Sequence, residues 1–513
     1  MNFYDEALGR EDGIVAPVKG LNTQTAIAGL SKDFAIQLDN WICQPDAIVT
    51  RPGIAAYATG FTLAPKTLVT YSSGLISKMF AMGADGIREV SAAGAAGTSV
   101  LSLFNGQGKF VNFATSAGQF VIYCNGVNFT CFYDGTTWAY LTAVSAPAIT
   151  GPSTGTFFSV EAYRARLYFL QNQFLGFYYL PADSIGGAAT AYRIGNVCRL
   201  GGFAVGHGTW TVDGGSGPDD HYVIATSNGE LIVYHGNDPA VAANWVYFGT
   251  FYVGKPLGPD CFAKFGGDLL YLCENGLIPL STLLQSSNRT YTNALTDKIQ
   301  PSIAKAAAFA RNSPGWKVTV LPRLSLIIIN VPSQGAGLLA TQFVYNSFSK
   351  AWSTFSGWDI QDLAEFNNEV YFSQGLTVVK AFTGQSDLGK DIVAICDTSY
   401  NRFGTRSQLV PSLVRLLYAS TNSVSYTVGL AQDFSGVYEE NSTSSNSGTL
   451  GFWNSGLWDL SVWGGDFLLR KDWLTITSRG GLALSTRFRV SSKAASTVLL
   501  AIDYKFLKQG LVS

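Results

Sequence analysis

Several stretches pair residue type and spacing in ways that could do chemistry. Gly151-Pro152-Ser153-Thr154-Gly155 has the G-x-S-x-G spacing of a serine hydrolase. In that motif the serine rides a strained turn between a strand and a helix. Here "SAPAIT" precedes it and "TFFSVEAY" follows it, a linker and a strand, so no nucleophile is expected. "GAGLLA" at 335–340 spaces Gly335, Gly337 and Ala340 as in a dinucleotide-binding turn. Such a turn rests a pyrophosphate on a helix N-terminus. The text continues "TQFVYNS", another strand, so a hairpin loop is expected. "DGGSGPDDH" (213–221) gathers Asp213, Asp219, Asp220 and His221. Oxygen-rich loops can hold Ca²⁺, but the EF-hand spacing is absent, and His207 and His235 make no metal-ligand spacing with it. Cys124 and Cys131 have no matching Cys or His pair for zinc. The sequence therefore predicts no catalytic residues, no cofactor and no metal, and reduced, buried cysteines.

These stretches sit in text written for strands. From about 61 to 390, apolar runs of four to eight residues alternate with Asn-Gly, Asp-Gly and similar pairs, as in "FVIYCNGVNFTCFYDGTTWAYL" and "DLLYLCENGLIPLS". Such pairs favour two-residue hairpin turns because both central residues take positive φ. "FYDGTTWAYL" (132–141) parallels "VYNSFSKAWSTF" (344–355): an aromatic run, a turn, then Trp. Hairpins recurring every 40 to 60 residues predict a β-propeller of about six irregular blades. A short helical insertion is expected near 282–312, where the chain is Ala-rich. Residues 1–60 read as an extended N-terminal arm ending in a tight "RPG" turn. Residues 391–513 read as a β-sandwich-like platform domain of long alternating strands. Its loop at 441–465 is polar but carries Trp453, Trp458 and Trp463. These three are candidates for a partner interface, or else they cover the sandwich core.

Composition narrows the class. Charged residues are 13% of the 513, with 55 glycines and 13% aromatics. That is about half the usual share of charge, and it suits strands partly covered by neighbouring subunits. Lys and Arg number 34 against 35 acids, which gives no basic footprint for gripping phosphates. The acidic "MNFYDEALGREDG" lacks the apolar segment of a secretion signal. The longest apolar runs, such as "LSLIIINV", are too short for a membrane helix.

Two resemblances follow. "YDGTTW" (133–138) is similar, one residue short, to the Asp-turn-Trp hairpins of propeller sialidases, where the Asp caps a turn and the Trp packs between strands. The wider pattern resembles the tail hub or nozzle proteins of short-tailed bacteriophages. It is carried by "GLNT … LDN … VTRPG", "YHGNDPAVAANWVYFGTFYVGKPLG", "GGDLLYLCENGLIPLS", "FVYNSFSKAWSTF", "EVYFSQGLTVVKAF", "DLGKDIVAICDTSYNRFG" and "RGGLALSTRFRV … LAIDYKF", in that order from about residue 17 to 506. Asp387-Leu388-Gly389 departs from the Asp-Asp-Gly of that family. The resemblance implies a structural virion protein, not an enzyme, in a homohexameric ring assembled in the host cytoplasm. The ring lies below the adaptor and portal, contacts tail fibres or spikes, and passes genomic double-stranded DNA without reading its sequence. The alternatives are a propeller-type adhesin binding host glycan and a sialidase-like propeller glycosidase.

Overall fold

Leu326–Val331 buries all six of its residues. A continuous Ile-rich run of this length forms a strand packed on both faces, and much of the chain is built this way. The computed structural model describes residues 8–74, 76–213, 218–285, 294–333, 340–444, 449–450, 461–462, 468–476 and 480–507. The architecture is all-β, in many small antiparallel sheets.

Seven of these sheets form the propeller. Their leading strands are Thr67–Ser73, Lys109–Thr115, Phe157–Tyr163, Ala204–Asp213, Phe262–Phe265, Lys317–Leu321 and Asp362–Phe366. Each leading strand packs against the next, and the seventh packs back on the first. This closed circuit of innermost strands defines a ring of seven blades, one more than the hairpin count suggests. Sheets one to four have four strands each in meander order. The fifth has three, Phe262–Phe265, Asp268–Cys273 and Gly276–Pro279, and helices Leu280–Gln285 and Gln300–Ala310 pack on it. Those helices are the insertion expected near 282–312.

The seventh blade is assembled from both ends of the propeller text. Its fourth strand is Ile54–Thr59, antiparallel to Thr377–Ala381, and the short Gly94–Ala95 pairs parallel outside it. Early and late chain thus close the ring together.

The segment 1–60, from residue 8 on, is woven into both bodies. Leu8–Val15 pairs with Thr497–Leu507. Ala35–Asp39 runs parallel to Ala351–Ser356, the outer strand of the sixth blade, and antiparallel to Ile392–Thr398. Propeller and platform therefore share one nine-stranded sheet. The second platform sheet holds Trp41–Cys43, Ile48–Thr50, Thr497–Leu507 and Pro411–Ser420. From Val414 on, Pro411–Ser420 buries alternate residues, as one face of a sandwich requires. Between the sheets lie Trp41, Tyr418, Tyr426, Phe488 and Tyr504. Among the described residues, no helix is long and apolar enough to cross a membrane.

Candidate functional site

The motif-like stretches serve turns. Ser153 precedes a single 3₁₀ turn, Thr154–Thr156, and strand Phe157–Tyr163 follows directly; the helix of a nucleophile elbow is replaced by strand. Thr154 is buried, and its hydroxyl donates to the Leu141 carbonyl at 2.5 Å. Residues 334–339 lie outside the described residues, and Ala340 leads into strand Thr341–Asn346. In "YDGTTW", the Asp134 carboxylate accepts the Thr136 and Thr137 N–H groups at 2.8 and 2.7 Å. Trp138 packs against Phe80 and Tyr133 in the core between blades one and two. This hairpin is structural.

Asp220 forms an ion pair with Arg164 at 3.2 Å, and its carbonyl accepts the Tyr163 hydroxyl at 2.7 Å. The side chains of Asp213 and Asp219 lie outside the described residues. The His221 ring sits among those of Trp210, His235 and Phe248, with centroids 5.1–5.5 Å away in tilted and edge-on contacts. Among the described residues, no group of three or more His, Cys, Asp or Glu could hold a metal. All seven cysteines are free, and six are buried. Burial pushes the Cys43, Cys124 and Cys273 thiols up to about 12, which keeps them from acting as thiolate nucleophiles. Trp453, Trp458 and Trp463 lie outside the described residues.

Charged chemistry gathers instead around the propeller axis, and all seven blades contribute. Lys109 of the second blade faces Glu161 of the third at 3.6 Å and donates to the His207 carbonyl of the fourth at 3.2 Å. Lys317 of the sixth donates to Asp362 of the seventh at 2.5 Å. The other Asp362 oxygen accepts the Leu68 N–H of the first at 2.8 Å. Asp260, two residues ahead of the fifth blade's leading strand, bridges to Lys317 through its backbone. Burial pushes the Asp260 carboxyl up, while Lys317 and Lys109 pull it back. For Lys317, burial works to lower the pKa, but Asp362 and Asp260 outweigh it and the net shift is upward.

Beside this cluster lies a polar seam between blades three and four. The His207 Nδ1 and the Tyr222 hydroxyl are 2.7 Å apart, and the Thr209 hydroxyl reaches Glu161 at 3.5 Å. His207 is 0% exposed. Burial, then the Lys109 charge, holds its imidazole well below the usual histidine range. "GHG" (206–208) is the sequence signal for this seam, one that metal-spacing logic passes over. A Cβ on Gly206 would come within 2.7 Å of the Cys261 sulfur, and one on Gly208 within 3.2 Å of Phe262. The two glycines let blade five press on one face while His207 points to blade three from the other.

A second constellation joins the propeller to the platform. Arg51, 0% exposed, makes a bidentate pair with Asp387 at 2.9 and 2.6 Å. It also donates to Asn40 Oδ1 at 2.8 Å and to the Ser356 carbonyl at 2.9 Å. Its guanidinium stacks 4.5 Å from the Trp358 ring centroid, and the Trp358 N–H donates to Asp387. Gly53 approaches the Ser386 backbone so closely that a Cβ would stand 2.0 Å from its carbonyl oxygen. This explains the Arg-Pro-Gly run as a joint rather than a free turn.

No protein-family model matches the chain, and no curated protein does. Among solved structures, the chain is similar to YCF48 bound to D1 peptide, at 11% identity and TM-score 0.36, over 65% of this chain and 97% of that one. It is similar to YCF48 from Cyanidioschyzon merolae at 11% identity and TM-score 0.31, over 66% and 97%. It is similar to BBS1N in complex with ARL6DN at 11% identity and TM-score 0.29, over 45% and 73%. Likenesses this slight carry nothing about function. The propeller rests on the strand order and on the closed circuit of leading strands.

Chemically, the axial cluster pairs each of its two lysines with a carboxylate of a neighbouring blade and draws on all seven blades. The His207 ring, sealed in the seam, is not placed to act on anything at the axis. The joint fixes two bodies against each other with charge-assisted hydrogen bonds, the stronger kind.

Proposed function

We propose that this chain is a structural subunit of a short-tailed phage tail, a nozzle or hub protein rather than an enzyme. In this reading six copies form a ring below the adaptor and portal. The ring extends the DNA-ejection channel, contacts tail fibres or spikes, and lets double-stranded DNA pass unread. The chain is made in the host cytoplasm and resides in the virion.

One observation carries the reading. The segments that resemble the phage family, far apart in sequence, meet at one joint. "LDN" supplies Asn40, "VTRPG" supplies Arg51 and Gly53, and "DLGKDI" supplies Asp387. "AICDTSY" and "STRFRV" lie side by side, with Arg487 paired to Asp397 at 2.7 Å. A subunit that carries load during DNA passage needs its two bodies locked, and a shared sheet with a buried ion pair supplies that lock.

The test is mass photometry of the purified chain with negative-stain images of the same sample. The expected particle is near six times 55.0 kDa with a central hole. A monomer that hydrolyses sialosides or capsule polysaccharide would overturn the proposal in favour of a propeller glycosidase. A monomer that binds host glycan without cleaving it would favour an adhesin.

A further inference from the structure

Two uncharged apolar patches stand on different blades of the propeller. The first lies at the junction of blades one and two. Phe104 falls between the first blade's outer strand, Ser99–Leu101, and the second blade's leading strand. Val127 and Phe129 fall between Gly118–Cys124 and Cys131–Tyr133 of the second blade. Two buried asparagines, Asn125 and Asn128, lock these segments together. Asn128 Oδ1 accepts the Phe104 N–H at 3.0 Å. The Asn125 amide donates to the Asn105 carbonyl at 2.6 Å and to Asn128 Oδ1 at 2.9 Å. Asn125 Oδ1 in turn accepts the Val127 and Asn128 N–H groups at 3.1 and 2.8 Å. On this clamp Phe104 is 81% exposed, and Val127 and Phe129 are about half exposed. An aromatic ring on a backbone already fixed makes a binding anchor, because little order remains to be imposed on docking.

The second patch is the outer strand of blade four, Trp245–Tyr252. Trp245 packs in the core shared with blade three, and Tyr247 pairs across the strand with Tyr234 of that core. Phe248 lies on the other face, 5.1 Å from the His221 ring. Val246, Tyr247, Phe248 and Tyr252 are each about half exposed, so the strand stands clear on both faces. Residues 99–108, 124–131 and 245–252 contain no charged side chain. Each patch offers roughly 300–400 Å² of apolar surface, at about 200 Å² for a whole aromatic side chain. Together they come close to the apolar share of a standard interface of about 1,600 Å².

We infer that the two patches are the halves of one contact between copies of this chain: the Phe104 patch of one copy docks on the Trp245–Tyr252 edge of the next. This rests on the ring reading above and names the surfaces that build the ring. A second copy fits because neither patch presents a charge that its partner must match, and the apolar areas are alike. Burying either patch against a charged surface would leave that surface's ions desolvated and unpaired. The patches differ from each other and sit on different blades. One contact therefore leaves each copy with a free patch of the other kind, and association runs head to tail until rotation closes it.

The test uses full-length Phe104→Lys and Phe248→Lys, alone and mixed in equal amounts, at a concentration where the parent assembles. Both residues are exposed, so folded variants are expected, checked by circular dichroism. Mass is read by size-exclusion chromatography with light scattering. Each variant alone has one broken patch and is expected as a 55.0 kDa monomer. In the mixture, the intact Phe104 patch of one variant meets the intact edge of the other. The remaining patches both carry lysine and repel, so a dimer of twice that mass is expected, and no ring. A mixture that stays monomeric overturns the inference. So does a single variant that forms dimers by itself, since its intact patch would then pair with its own kind. A variant that still forms the parent ring overturns this pairing and leaves the ring reading standing. A parent chain that stays monomeric at every concentration overturns both.

Discussion

His207 shows how one buried side chain ties stability to pH. Its ring is neutral in the folded protein because burial and Lys109 both oppose the charged form. In the unfolded chain it takes up a proton below about pH 6.5. The stability it confers is therefore complete above pH 6.5 and is lost as pH falls toward its depressed folded value. The loss approaches about 1.4 kcal/mol for each pH unit below about 6.5. His207→Gln abolishes this titration. In chemical denaturation at pH 7 and pH 5, the stability gap between wild type and variant is expected to narrow on acidification. A constant gap would show that the ring titrates normally. Arg51 gives a sharper case. Removing Asp387 with Asp387→Ala leaves a guanidinium buried without its counter-charge, and breaking such a pair costs about 3–5 kcal/mol. Arg51→Met with Asp387→Ala removes both charges and is expected to cost less than the two single changes together. Urea midpoints for the four proteins check this, and simple additivity would remove the pair from the joint.

The sheet edges show how strands avoid unwanted partners, and where they do not. The outer strands of blades one, two and three span only three or four residues, Ser99–Leu101, Trp138–Tyr140 and Thr190–Arg193. Helices adjoin the fifth, and added strands cover the sixth and seventh. The fourth ends in Trp245–Tyr252, eight residues with no charge and no proline, and Val246, Tyr247, Phe248 and Tyr252 are exposed. Long apolar edges promote strand-to-strand association. Phe248→Lys is expected to lower light scattering on concentration without changing the far-ultraviolet spectrum; unchanged scattering would show that this edge is inert. Elements of this kind were legible in the sequence, since turn pairs and apolar runs mark the hairpins. The number of blades was less legible. The seventh joins Ile54–Thr59 to text some 300 residues later, and the fifth trades a strand for helices, so no local spacing reports them. The axial cluster was not legible at all. Lys109, Glu161, Asp260, Lys317 and Asp362 come from five different parts of the ring, and only closure brings them together. The Arg-Pro-Gly turn was visible, but its partner Asp387 lies 336 residues from Arg51.

At the scale of the whole molecule, charge is arranged to cancel. The chain carries a formal charge of -1. Its axial lysines are spent on carboxylates of neighbouring blades, and Arg51, Arg415 and Arg487 are paired with Asp387, Asp503 and Asp397. A cation already paired with a carboxylate gains little by turning to a phosphate, because the carboxylate it leaves must be resolvated or left unpaired. DNA that passes such a surface has few counterions to release, and counterion release is what makes protein–DNA affinity strong and salt-dependent. Fluorescence anisotropy with a short labelled duplex is therefore expected to show no saturable binding below about 10⁻⁶ M at physiological salt. The affinity should also change little as salt is lowered, where a true binder contacting several phosphates weakens steeply with added salt. Tight binding with a steep salt slope would mean that the assembled surface presents unpaired cations to the duplex. Under the proposed function, a ring that passes DNA would then have to release it actively.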